Sequence, residues 1–123
     1  MPSQGAAPNI VQSTPLAFQH LAIVQVALSP AAVIKATAVE QTFTVTGLSL
    51  GDSLQAPDQI LGISKATEQS GLSVVGARVS AANTIAIKFS NPTVGDITPT
   101  AAEVYTFTVF RPFLPVLANA TTI

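Results

Sequence analysis

The chain predicts an all-β fold, either an antiparallel β-sandwich or a jelly-roll-like barrel. Three observations carry that prediction. Apolar and polar residues alternate with period two in several short runs, most clearly over Thr84–Ser90 and Val104–Phe110, as in strands with one face in a core. Turn-forming residues, among them nine prolines and seven glycines, punctuate these runs at short intervals. No segment sustains the 3.6-residue period of an amphipathic helix. At 123 residues the chain fits one domain, long enough to bury a core without cross-links.

The elements follow in order. Met1–Pro15 is small, polar and proline-punctuated and reads as part of an extended N-terminal arm over residues 1–20. The sandwich domain then spans residues 21–112, and a C-terminal tail spans 113–123. Leu21–Leu28 is a first strand, with Val24, Val26 and Leu28 on one face and Leu21, Ile23 and Gln25 on the other. Both faces are expected to be covered. Ser29–Pro30 ends it, because proline cannot donate to a ladder, and Ala31–Val39 reads as a turn leading into a strand.

Glu40–Thr46 alternates Phe43 and Val45 with Thr42, Thr44 and Thr46, which predicts a strand whose threonine face is half-solvated. Gly47 and Gly51–Asp52 mark turns, and Ser53–Ser70 is expected to hold a short strand and a mobile connection. Leu72–Ser80 is a strand whose apolar residues change parity around Gly76; a bulge there would bring Leu72, Val74, Val75, Ala77 and Val79 all inward. Asn83 can close the next turn in a left-handed conformation. Ile85, Ile87 and Phe89, then Tyr105, Phe107 and Val109, predict an organising hairpin with a connection of roughly a dozen residues, long enough to point to a function. Phe113, Leu114, Val116 and Leu117 make the tail too apolar to be left free.

Composition narrows the function. Charged residues make up 9% of the chain, against about 25% in ordinary soluble domains, which predicts a surface packed against other subunits. A net charge of −1 offers no footprint for nucleic acid or anionic lipid. Met1–Ile34 holds no Lys, Arg, Asp or Glu, but its longest apolar run, Leu21–Leu28, is interrupted by Gln25 and falls short of the ~18–20 residues of a spanning helix. Met1–His20 lacks the basic start of a secretory signal, so no export by that route and no membrane partner are expected. The chain has no cysteine, hence no disulfide framework or thiolate metal site.

The residues that could carry chemistry are few. His20 is the one histidine and reads as a surface or packing residue. Glu40 and Glu103 each stand near a strand start, and as a facing pair they could serve glycoside hydrolysis. Such sites carry aromatic sugar platforms, and here there is no tryptophan and one tyrosine, Tyr105. Asp52 and Asp96 follow glycines as turn residues and lack a calcium-loop pattern. The glycines form no phosphate loop, and Lys35, Lys65, Arg78, Lys88 and Arg111 do not cluster in sequence. The expectation is a non-enzymatic protein with no cofactor.

Three linked segments carry a resemblance: TFTVTGLSLGD (Thr42–Asp52), GLSVVGARVSAANTIAIKFSN (Gly71–Asn91) and DITPTAAEVYTFTVFR (Asp96–Arg111). Across Gln41–Arg111 the chain resembles a recurrent family of small bacteriophage virion structural proteins. In that family a strand ending T-V-T-G-L precedes a glycine turn. Further on come the patterns V-x-A-R-V-S-A-x-N-T-[IL]-x-[IL]-x-F and I-T-P-T-x-x-E-x-Y. The resemblance implies a head-decoration or cement protein on the outer capsid surface of the virion, made in the bacterial cytoplasm. The absence of cysteine suits a reducing compartment. Its partners would be the major capsid protein and copies of itself, with a trimer favoured. The expected contact residues are Pro2, Pro8, Ile10 and Pro15 in the arm, Pro92, Asp96 and Pro99 in the connection, and Phe113, Leu114 and Leu117 in the tail. Alternatives are a head-fibre, spike or tail-associated subunit, or a host- or carbohydrate-binding module.

Overall fold

The computed structural model describes residues 18–52 and 56–112. Within them lie six strands and no helix: β1 Phe18–Leu28, β2 Thr37–Thr44, β3 Gln59–Lys65, β4 Ser73–Ala81, β5 Thr84–Asn91 and β6 Glu103–Pro112. They form two antiparallel three-stranded sheets, ordered β1-β6-β3 and β2-β5-β4, in an arrangement consistent with a β-sandwich.

The two strands with the cleanest alternation are the two central ones, one in each sheet. The expected hairpin between β5 and β6 is therefore corrected: the two strands do not pair, and residues 92–102 cross from one sheet to the other. Period-two alternation reports which face is buried, not which strand lies alongside. Ile85, Ile87 and Phe89 of β5 meet Tyr105, Phe107 and Val109 of β6 in one buried cluster. The Phe89 and Tyr105 rings cross it edge to face, with centroids 6.4 Å apart and planes at 88°, a favoured geometry for aromatic quadrupoles. Each such side chain taken from water contributes about 1.5–3 kcal/mol.

Only β4 and β5 are joined by a hairpin. Its tip bears Asn83 at φ 57°, the left-handed turn that the sequence predicts. Asn83 also clasps the turn after β2. It accepts from Val45 N and, through Oδ1, from Gly47 N, and it donates to Leu48 O, each at 2.8 Å. In β4 the register shifts between Val74 and Gly76, so the bulge forms where the glycine predicts it. Leu72, Val74, Ala77 and Val79 turn inward. Val75, the extra residue, points out instead and is exposed, because a bulge corrects parity by displacing one residue from the ladder.

Other boundaries move slightly. β2 begins three residues before Glu40 and stops at Thr44, although Val45 remains buried. Gln41 on β2 holds the incoming turn, accepting from Ala31 N at 2.8 Å and donating to Ala31 O at 2.9 Å. The strand expected within Ser53–Ser70 is β3, with a register irregularity between Ile60 and Gly62. The arm residues 1–17 and the tail 113–123 lie outside the described residues.

Candidate interaction surface

The outer faces of the two sheets differ in chemistry. On the β2-β5-β4 sheet the outward positions include Glu40, Lys88 and Arg78. Arg78 forms a two-pronged pair with Glu40, Nε to Oε2 at 2.8 Å and Nη2 to Oε1 at 2.9 Å. The two residues sit on the outer strands of that sheet, and between them β5 presents Ala86, which has no exposed surface. A larger residue at 86 would stand between the paired groups. The hydrogen bond from Arg78 holds the Glu40 carboxyl below its ordinary range.

The β1-β6-β3 sheet presents no charge on its outer face. Strand register sets that face out in rows: Leu21 beside Phe110 and Gln59, Ile23 beside Thr108 and Gly62, Gln25 beside Thr106 and Ser64, Ala27 beside Val104. Leu21 is 58% exposed, Ile23 73%, Val104 41%, and Leu61, at the β3 irregularity, 61%. Gln25 Nε2 donates to Thr106 Oγ1 at 3.2 Å, which ties two amphipathic side chains flat along the sheet. The expectation that both faces of the first strand are covered is thus corrected. Val24, Val26 and Leu28 face the core, while Leu21 and Ile23 face solvent. Isolated exposed apolar residues are ordinary; here Leu21 and Ile23 occupy neighbouring rows of one face, with Val104 two rows beyond Ile23.

Two further charge pairs lie inside or at the ends of the strands. Arg111, at the end of β6, donates from Nε to Asp58 Oδ1 at 2.8 Å and from Nη2 to Asp58 Oδ2 and Gly47 O, each at 2.7 Å. The Asp58 side chain is 1% exposed, and this partner raises the guanidinium pKa. Lys65 Nζ lies 2.7 Å from Glu103 Oε1, and Thr67 Oγ1 donates to Glu103 Oε2. Those two hydrogen-bonding neighbours lower the Glu103 pKa against the opposing effect of burial. A hollow of about 220 Å³ beside them is lined by Lys65, Thr67, Glu68, Gln69, Leu72 and Val74.

The acid pair considered for glycoside chemistry is not assembled: Glu40 lies on the outer face of one sheet and Glu103 on the buried face of the other. Tyr105 and Phe107 are core residues. Among the described residues no group of three or more His, Asp or Glu is placed to hold a metal ion.

Of the expected contact residues in the 92–102 crossover, Pro92 and Asp96 are exposed, whereas Pro99 is fully buried and has no side-chain surface for a partner to touch. Asp96 Oδ1 accepts from Lys35 N at 2.9 Å. The crossover is fastened chiefly by Asn91, which the sequence reading passed over. Its buried amide donates to Val33 O at 2.9 Å and Gly95 O at 2.8 Å and accepts from Thr93 N at 3.0 Å. The signal was present in the Asn-Pro-Thr order, since asparagine before a turn binds the backbone two residues on. Gly71, at φ 83°, completes the packing; a Cβ there would lie 2.5 Å from Thr93 Cγ2. Pro2, Pro8, Ile10, Pro15, Phe113, Leu114 and Leu117 fall outside the described residues.

No protein-family model matches the chain, and neither a curated protein nor a solved structure matches it. Among the described residues no helix is long and apolar enough to cross a membrane.

Proposed function

We propose that this protein is a structural subunit of a bacteriophage particle, a decoration or cement protein that binds the outer capsid surface and stabilises it through non-covalent contacts. The observation that carries the reading is the charge-free outer face of the β1-β6-β3 sheet, studded with Leu21, Ile23, Leu61 and Val104. The segment resemblance over Gln41–Arg111 supports the same reading. In it, the sandwich is flanked by an arm that ends where β1 begins, at Phe18 rather than after His20, and by a tail over 113–123, with the major capsid protein and copies of itself as partners. The work is adhesive: apolar area removed from water contributes about 25 cal/mol per Å², repeated at each symmetry-related position. Polar Gln, Thr and Ser between the apolar residues keep such a face soluble before assembly.

The test is binding of the full chain to phage capsids that carry none of it, read as copies bound per particle and as resistance of the particle to heat. Leu61→Lys and Val104→Lys each place an ammonium group in the contact. Each is expected to weaken binding at least about thirtyfold, about 2 kcal/mol, with the fold unchanged by circular dichroism. Saturable binding unaffected by both lysines would overturn the assignment of this face. Absence of any binding would overturn the decoration reading.

A further inference from the structure

We infer that β1 is a self-pairing edge: two copies of the chain join their β1 strands antiparallel about a two-fold axis, which makes one continuous six-stranded sheet. This stands apart from the capsid reading, because it concerns the rim of the sheet and needs no second kind of protein.

The sandwich has four edge strands, and among the described residues three of them carry features that discourage addition of another strand. β2 bears Glu40. β3 is seven residues long, is irregular near Leu61 and ends in Lys65. β4 bears Arg78 and has register shifts near both ends. β1 has none of these over His20–Leu28. It is the longest strand at 11 residues and contains no proline, Asp, Glu, Lys or Arg. After the shift at its start, it runs in unbroken register from His20 to Leu28 along β6. Among the described residues β6 is its only ladder neighbour, so no described strand takes up the main-chain groups of its other side.

The chemistry of the strand selects a second copy as the occupant. In a two-fold pair each side chain near the axis meets its own counterpart or a close neighbour of it. A charge there faces the same charge, and like charges opposite one another destabilise a ladder. A strand without charge escapes that penalty.

The register that uses all of His20–Leu28 places the axis at Val24. Val24 then meets Val24, and Ala22 meets Val26, on the core side. Ile23 meets Gln25, and Leu21 meets Ala27, on the outer side. Inward residues therefore pair with inward residues, as sheet continuity demands. Main-chain bonds supply the adhesion and need no pocket. The charge-free outer face would run unbroken across the joint.

The experiment is the solution mass of the full chain by sedimentation equilibrium across a concentration series, with amide hydrogen exchange on the same samples. The expected result is twice the 12.6 kDa chain mass, with exchange at residues 20–28 slowing as the dimer forms. Ile23→Lys with Gln25→Lys, at solvent-facing positions, is expected to return the mass to one chain while exchange in β5 stays protected. Mixing that variant with Ile23→Glu, Gln25→Glu is expected to restore the double mass as a mixed pair. Val75→Lys, exposed on the other sheet, should change nothing. A mass of one chain at every concentration, a threefold mass, or a dimer indifferent to the β1 lysines would each overturn the inference.

Discussion

Tyr105 is a core residue with a polar group that finds no partner. It has no exposed surface, its hydroxyl has no hydrogen-bond partner, and burial, with Glu103 nearby, pushes its pKa up to about 12. As the chain has one tyrosine and no tryptophan, the phenolate absorbance reports this group alone. Its titration midpoint should fall near 12 rather than at the ordinary 10.0; an ordinary midpoint in the folded chain would contradict the burial. A raised pKa in the fold means that the stability contributed is intact below 10.0 and is lost as pH rises through about 12. Tyr105→Phe removes that alkaline loss, and it also removes a hydroxyl buried without a partner. That Tyr105 belongs to the core was legible from its parity with Phe107 and Val109. Its orphaned hydroxyl was not, since nothing in the alternation says what stands above the ring.

At the scale of the element, the 92–102 crossover shows how a long connection can be fastened by a single buried side chain. Its length made it a candidate for recognition, yet buried Asn91 ties it to Val33 and Gly95, and Val33 pairs with Ile97 across it. Asn91→Ala would remove three side-chain-to-backbone hydrogen bonds, those to Val33 O and Gly95 O and the one from Thr93 N. It should cost about 2–4 kcal/mol of unfolding free energy, measured by denaturant titration; a loss under about 0.5 kcal/mol would mean that the crossover is held elsewhere. Strand identity was readable throughout because period-two runs bounded by turn residues have few other solutions. Strand partnership was not: β5 and β6, alike in pattern and adjacent in sequence, read as one hairpin, although each is the central strand of its own sheet. The β1 residues Leu21 and Ile23 mark a similar boundary. An apolar residue in a strand is equally consistent with its own core and with a neighbour's surface, and only the placement of β6 and β3 decides between them.

For the whole molecule, the carboxylates set the acid limit. Glu103 is held below its ordinary 4.5 by Lys65 and Thr67, and Glu40 below the same value by Arg78. A carboxyl depressed in the fold contributes stability that is present above its unfolded pKa and is lost as pH falls through the folded one. Unfolding free energy should therefore hold from neutrality down to about 4.5 and decline below it. Glu103→Gln should flatten that decline in a comparison between pH 7 and pH 3; parallel curves for the two proteins would remove Glu103 as a cause. The composition foreshadowed this arrangement in part. Six of the few charged groups stand in three pairs, Lys65 with Glu103, Arg78 with Glu40 and Arg111 with Asp58.

The strand order also has a consequence for synthesis. Among the described residues the chain changes sheet at every connection except the β4–β5 hairpin, and β6, the last described strand, lies between β1, the first, and β3. A ribosome adding about 5–20 residues per second needs roughly 4–15 s to travel from the end of β1 to the start of β6. Throughout that interval β1 lacks β6, its ladder neighbour among the described residues. Nascent chains on one message would thus carry unpaired β1 strands close together, and the sheet closes only when the final strand slides into its middle.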